Sequence, residues 1–292
     1  MLLENKITLI SSFTAFCLVL VKITVGSITG SMAIIASGID SALDMFISLI
    51  NYFILKGSQK PSDEDHQFGH GKLQGFGAII EGIIILISGG LILYFAIKKI
   101  IYGIPFQKVD LSLLIMIFSF IVTSILVKTI SNAVKKTDNI VLKADLMHYK
   151  VDLLSNAGIF ISLLIIKFTG LVIIDPIISI IIAIYIIVGS IKIVKEGIDV
   201  LMDKSIEKDK IIDIINIIEN NSNKITSYHK LLTRQSGQNM FIQFHLVFVK
   251  NISLYDAHEI ADKIESLMIE KFPNAIVTIH LDPYDDSIIA SQ

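Results

Sequence analysis

Two pairs of possible metal ligands lie at matching spacing in two apolar stretches of this chain. Asp40 and Asp44 close the string Asp40-Ser41-Ala42-Leu43-Asp44, and His148 and Asp152 close His148-Tyr149-Lys150-Val151-Asp152. A spacing of four puts each pair on one helix face, one turn apart. An ionisable group near a bilayer centre costs ~2.5–3.5 kcal/mol on insertion scales, so groups kept there mark function. One imidazole and three carboxylates suit a borderline divalent ion, zinc first, with iron(II), manganese, cobalt and cadmium compatible. Four protein ligands fill a tetrahedron and leave no open position for an activated water. The set therefore favours binding and release over hydrolysis, and the chain holds no His-Glu-x-x-His string. Two other readings fit the same spacing: a metal-free hydrogen-bonded network between helices, and a proton relay.

Two further clusters stand outside the long apolar runs. The segment Asp63-Glu64-Asp65-His66-Gln67-Phe68-Gly69-His70-Gly71-Lys72 offers Asp63, His66 and His70 as ligands, or is simply a solvated acidic loop. Gly71-Lys72 is not a phosphate loop, because Leu73 stands where Ser or Thr is required. Near the C-terminus lie His229, His245, His258, His280 and Asp282. His280 and Asp282 are two apart in an alternating strand pattern, so both face one side. All 7 histidines of the chain fall in these three regions.

The elements that must position these groups follow from hydropathy. The chain has 292 residues, 53% of them hydrophobic and 18% charged. Its mean hydropathy of +0.70 is that of a multi-span membrane protein. Six apolar runs predict helices near 7–29, 32–55, 75–98, 111–133, 140–168 and 176–198. Gly30-Ser31 is expected to form a tight turn, and Asp175-Pro176 to act as N-cap and first helical residue of the sixth span. Beyond about residue 203 the pattern changes to helix 207–221, strands 225–235 and 239–249, helix 254–271 and strand 275–282, with a turn at Gly237-Gln238-Asn239. This predicts an all-α six-helix transmembrane bundle (1–203) followed by a C-terminal α/β domain (204–292) of α-β-β-α-β order, its helices on one side of one sheet. The net charge of −2 gives no reason to expect nucleic acid as a partner. Cys17, the single cysteine, rules out an internal disulfide framework and reads as a small buried hydrophobe. No charged segment with a small-residue cleavage site precedes the first span, which is expected to be retained.

Lysines in short loops set the orientation. Lys6, Lys56, Lys60, Lys72, Lys135, Lys136, Lys143, Lys195 and Lys204 collect on one side, against Lys98, Lys99, Lys108 and Lys167 on the other. The bias places both termini in the cytoplasm. At 1.5 Å per residue, both ligand pairs then lie ~12–18 Å into a core ~30 Å thick, and so meet near its midplane.

Taken together, these strings resemble the cation diffusion facilitator family of divalent-metal/proton antiporters, in particular its bacterial zinc/iron(II) exporter branch. The resemblance runs through Ala36-Ser37-Gly38-Ile39-Asp40-Ser41-Ala42-Leu43-Asp44, His66-Gln67-Phe68-Gly69-His70-Gly71-Lys72, Ala144-Asp145-Leu146-Met147-His148-Tyr149-Lys150-Val151-Asp152, Thr233-Arg234-Gln235-Ser236-Gly237 and His280-Leu281-Asp282-Pro283. It implies a transport site of Asp40, Asp44, His148 and Asp152, and a loop site of Asp63, His66 and His70. It also implies a tail domain resembling metallochaperones, with a two-metal site of His229, His245, His258, His280 and Asp282 that helps hold a homodimer. Lys72 and Asp203 match a charge pair that holds helices of the dimer together near the membrane surface. Leu281 departs from the glutamine expected between His280 and Asp282, which touches an outer-shell hydrogen bond but not the ligands. The implied protein is a multi-pass transporter of the inner or plasma membrane, not an enzyme, exchanging divalent metal for protons without an organic cofactor. Bound zinc or another divalent metal would also regulate the tail. A membrane metal sensor that does not transport is the rival reading.

Overall fold

A computed structural model describes residues 2–29, 32–102 and 112–284. Gly30-Ser31 and Lys108 lie outside the described residues. Six long helices come first: α1 (Leu3–Thr29), α2 (Met32–Ser58), α3 (Leu73–Tyr102), α4 (Ser112–Thr137), α5 (Ile140–Thr169) and α6 (Ile174–Leu201). The tail follows as α7 (Lys208–Glu219), β1 (Ile225–Ser236), β2 (Asn239–Phe248), α8 (Leu254–Lys271) and β3 (Ala275–Asp282). Among the described residues, stretches long and apolar enough to cross a membrane occur in α1, α2, α3, α4 and α6. The first half of α5 carries Lys143, Asp145, His148, Lys150 and Asp152. The chain divides into two compact units, one of residues 1–60 and 73–198, the other of 61–72 and 199–292. The segment 61–72, between the second and third helices in sequence, thus groups with the tail.

The helical unit is apolar outside and polar within. Phe13, Phe46, Phe53, Ile87 and Val188 are exposed, whereas Ser11, Ser48, Asn51, Glu81 and Asp145 are buried. Lipid already solvates apolar side chains, so helix association there relies on close packing and polar contacts between helices. Close packing is visible between α3 and α6, where a Cβ on Gly82 would come within 2.7 Å of Val194. Asn139 caps α5, its Oδ1 accepting from the Val141 and Leu142 amides at 3.0 and 3.2 Å. Its Nδ2 donates to Gln74 Oε1 of α3 at 3.2 Å, which ties the start of α5 to that helix.

Two expectations are corrected here. Helix α6 begins at Ile174, so Asp175 is inside its first turn and not its N-cap. Its carboxylate instead pairs with Lys99 of α3 at 2.7 Å, a stronger interaction than a cap. Cys17 is exposed on the outer face of α1, because a thiol is apolar enough for a lipid-facing position.

In the tail, β2 is central in the order β1-β2-β3, antiparallel to β1 and parallel to β3. Met240, Ile242, Phe244, Leu246 and Phe248 alternate along β2 and pack with Ile214 and Ile218 of α7 and Ala257, Ile264 and Met268 of α8. Both helices therefore cover one face of the sheet, and the β2 residues between these positions, His245 among them, face the other way. Gly237, at φ 61°, supplies the left-handed residue of the two-residue β1–β2 turn. Segment 61–72 packs on this unit through Arg234, whose guanidinium lies 5.0 Å from the Phe68 ring centroid and 4.4 Å from that of Phe241. A Cβ on Gly71 would meet the Ser236 carbonyl oxygen at 2.4 Å. Gly71→Ala should therefore loosen the segment by roughly 1–3 kcal/mol, read as faster amide hydrogen exchange across 61–72 with the exchange of β2 unchanged.

Candidate metal centres

The two helices that carry the intramembrane pairs bring three of the four residues together. His148 Nε2 of α5 lies 3.0 Å from Asp44 Oδ1 of α2 and 4.0 Å from Asp152 Oδ2. One ligand atom from each of Asp44, His148 and Asp152 falls within 4.8 Å of the others. Asp40 stands apart from this group, exposed one turn nearer the start of α2. Beside them is Lys22 of α1, a buried lysine that the sequence reading did not single out. Its Nζ donates to Ser41 Oγ at 2.8 Å and to the Ser37 carbonyl at 3.4 Å. That position puts its charge within electrostatic reach of Asp40, Asp44 and Asp152.

A second polar layer, also unassigned from sequence, lies toward the N-terminal end of α5. Asp145 accepts from Ser11 Oγ of α1 and Ser48 Oγ of α2, both at 3.2 Å. Ser48 Oγ is 2.9 Å from the Tyr149 hydroxyl, and Asn51 Nδ2 donates to Glu81 Oε2 of α3 at 2.9 Å. Lys22 and Glu81 were findable, since each is a lone ionisable residue inside an apolar run.

The loop residues also converge. Asp63 Oδ1 accepts from the His66 amide at 2.7 Å, and His66 Nδ1 lies 3.3 Å from the same oxygen. His70 Nε2 is 3.4 Å from Asp63 Oδ2, and one ligand atom from each of the three lies within 4.8 Å of the others. The His66 backbone N–H, followed by the neighbouring imidazoles, holds the Asp63 carboxyl below its ordinary value. Such a carboxylate is ionised and ready to ligate. His70 Nδ1 is buried with no hydrogen-bond partner.

Beside the loop site, Asp203 accepts from Lys72 Nζ at 2.9 Å and from Arg234 Nη1 at 3.0 Å. The predicted Lys72–Asp203 pair thus forms within a single chain. Burial alone would raise the Asp203 carboxyl, but the hydrogen bonds from Lys72 and Arg234 outweigh it and leave it lowered.

In the tail, strand register explains the histidines. His229 pairs with His245, and His245 with His280, across the three strands. The three side chains stand in a row on the face opposite the helices, with ring centroids 4.8 and 4.5 Å apart. Asp282, only 4% exposed, lies 2.7 Å from His245 Nδ1, 3.4 Å from His229 Nε2 and 3.0 Å from His280 Nε2. A nearly buried carboxylate with imidazoles on three sides fits a transition-metal site, and His229, His245 and Asp282 form its tightest group. His258 does not join them: it is exposed on α8, 3.6 Å from Asp262.

A helical unit with an imidazole and carboxylates set between helices, joined to a small α/β unit with clustered histidines, fits the class of metal-handling membrane transporters. The chain belongs to the cation efflux family: residues 8–202 match its transmembrane domain and residues 206–284 its cytoplasmic domain. It is a multi-pass cation-efflux transporter, and the second match is to the domain through which this family dimerises. Protein p34 of Rickettsia prowazekii is 33% identical over 282 residues, covering 97% of this chain and 93% of that one. The cation-efflux pump FieF of Salmonella typhi is 32% identical over 284 residues, covering 96% and 93%. Among solved structures, the zinc form of CzrB shares 27% identity over 28% of this chain and 92% of its own, with a TM-score of 0.27.

The lowered Asp203 value has a definite sign. A depressed carboxylate stabilises the folded state above its ordinary value of 3.8, and that contribution is lost as pH falls through the lowered folded value. Exchange protection of segment 61–72 should therefore decline below about that pH in the wild type, and should be lower and decline less in Asp203→Asn, where only Asp63 of the two depressed carboxylates remains. Equal pH profiles for the two proteins would contradict the assignment.

Proposed function

We propose that this chain exports a divalent metal cation, zinc first, from the cytoplasm in exchange for protons, with Asp40, Asp44, His148 and Asp152 as the transport site. The observation that carries this reading is the approach of Asp44, His148 and Asp152 from two different helices within the bundle. A mixed nitrogen and oxygen donor set suits a borderline ion, and iron(II), manganese, cobalt and cadmium share that preference in part. Asp40 is one helical turn from Asp44 and joins the other ligands through a shift of α2 that accompanies loading. Metal must displace protons from these groups, because only neutral imidazole and ionised carboxylate ligate, and this displacement is the basis of antiport.

In the same reading both termini and the tail are cytoplasmic, in a plasma or inner membrane. Residues 1–203 carry transport and residues 204–292 carry dimerisation and regulatory metal. His229, His245, His280 and Asp282 supply the tail site, with His258 added from the exposed face of α8. Asp63, His66 and His70 form an accessory site, and Lys72 with Asp203 fixes the loop that carries it. The alternative, a sensor that binds metal without moving it, is separated by recording zinc flux and internal pH together in proteoliposomes.

Asp44→Ala or Asp152→Ala should abolish metal-dependent proton exchange in that assay while the protein stays folded and dimeric. Exchange at the wild-type rate would refute the site. His280→Ala should weaken zinc binding by the tail and the stability of the dimer, yet leave measurable transport. Complete loss of transport with normal dimerisation would refute that division of labour.

A further inference from the structure

The polar layer next to the transport triad contains an acid that the triad does not use. Glu81 of α3 is 2% exposed and Asp145 of α5 is fully buried. Among the described residues neither carboxyl lies within ion-pairing distance of a lysine, arginine or histidine. Asp145 is satisfied by two serine hydroxyls, Ser11 and Ser48. Glu81 is not: Oε2 accepts from Asn51 Nδ2 at 2.9 Å, while Oε1 is buried with no hydrogen-bond partner.

An ionised carboxylate here would hold a bare anionic oxygen out of water. The neutral acid leaves only a hydroxyl unmatched, a smaller penalty. The Asn51 amide distinguishes the two oxygens, since its N–H requires a lone pair at Oε2 and leaves Oε1 to carry the proton. The titratable groups within electrostatic reach of Glu81 are Asp145 and His148, both on α5. Asn51 of α2 is neutral. The α6 residues packed against the adjoining Gly82 are Val194 and Ile193, which carry no charge.

We propose that Glu81 is a proton-binding site of this transporter, a neutral buried acid that gives up its proton when a divalent cation occupies the neighbouring triad. The inference rests on the antiport reading and adds to it a residue that does not ligate the metal. The step balances: the divalent charge enters, Glu81 passes from carboxylic acid to carboxylate, and the proton leaves to water. The sign follows from Coulomb's law, since added positive charge nearby favours the ionised acid. Its magnitude is largest in an interior that screens poorly. Asn51 then donates to a carboxylate, a stronger hydrogen bond than before.

The test is infrared difference spectroscopy of the full-length protein in detergent, zinc chloride added minus metal-free. It is paired with calorimetric zinc titrations in two buffers of different ionisation enthalpy. The wild type should lose intensity in the carbonyl-stretch region of neutral carboxylic acids. Glu81→Gln keeps the Asn51 contact and should diminish that loss. It should also release fewer protons per triad zinc, by roughly one. Glu81→Asp should restore a shifted band and keeps the test valid if the Gln variant folds poorly. An unchanged acid band and proton count in Glu81→Gln would overturn the proposal. Both readouts follow binding alone, so failure of antiport in liposomes is a separate result.

Discussion

The contact between His148 on α5 and Asp44 on α2, 3.0 Å long, is the constraint around which the polar interior of the helical unit is arranged. An imidazole and a carboxylate inside an apolar bundle are tolerable only if each supplies what the other lacks. Bringing them together fixes the rotation of both helices, and the neighbouring polar layer follows from that rotation. Ser48 is one turn from Asp44 and Asp145 is one turn from His148, so the same two faces that present ligands also present Ser48 to Asp145. Lys22 stands within electrostatic reach of Asp40, Asp44 and Asp152, three carboxylates against one lysine, an excess of acid that suits a cation site.

The tail solves a different problem with the same donors. Strand register alone aligns His229, His245 and His280, and the buried Asp282 is held in place by the imidazoles around it. The core under that face is fully apolar, with Phe244 and Leu246 at 1% and 0% exposure on either side of His245. The histidine-bearing face is therefore mounted on a closely packed support. Arg234 extends the support to segment 61–72 by lying against the rings of both Phe68 and Phe241 and pairing with Asp203. The loop cluster of Asp63, His66 and His70 accordingly belongs mechanically to the tail unit, although it interrupts the helices in sequence.

Much of this architecture was legible in the chain, and the reasons are physical. Long apolar runs and alternating strands are periodic signals, so every helix and strand of the fold was placed to within a few residues. The spacing of four put each pair on one helix face, and the depth of the two pairs set them at one level; the structure has Asp44 beside His148. Asp40 was not legible in the same way. Spacing says that it shares a face with Asp44, but not how far the facing helix reaches along that face. Lys22 and Glu81 stood out as lone ionisable residues inside apolar runs and were missed, whereas Asn51 and Asp145 matter through contacts between helices, set by rotation angles that no single run encodes. The exposure of Cys17 shows the related difficulty that apolar residues in lipid have no preferred side.

The central claim, that groups from α2 and α5 hold a divalent ion within the bundle, is tested most directly by anomalous diffraction from zinc-loaded crystals of the full chain. The account predicts an anomalous peak within coordinating distance of Asp44, His148 and Asp152, about 2.0–2.2 Å from their ligand atoms. Peaks confined to the loop and tail clusters, at zinc concentrations that saturate transport, would contradict it.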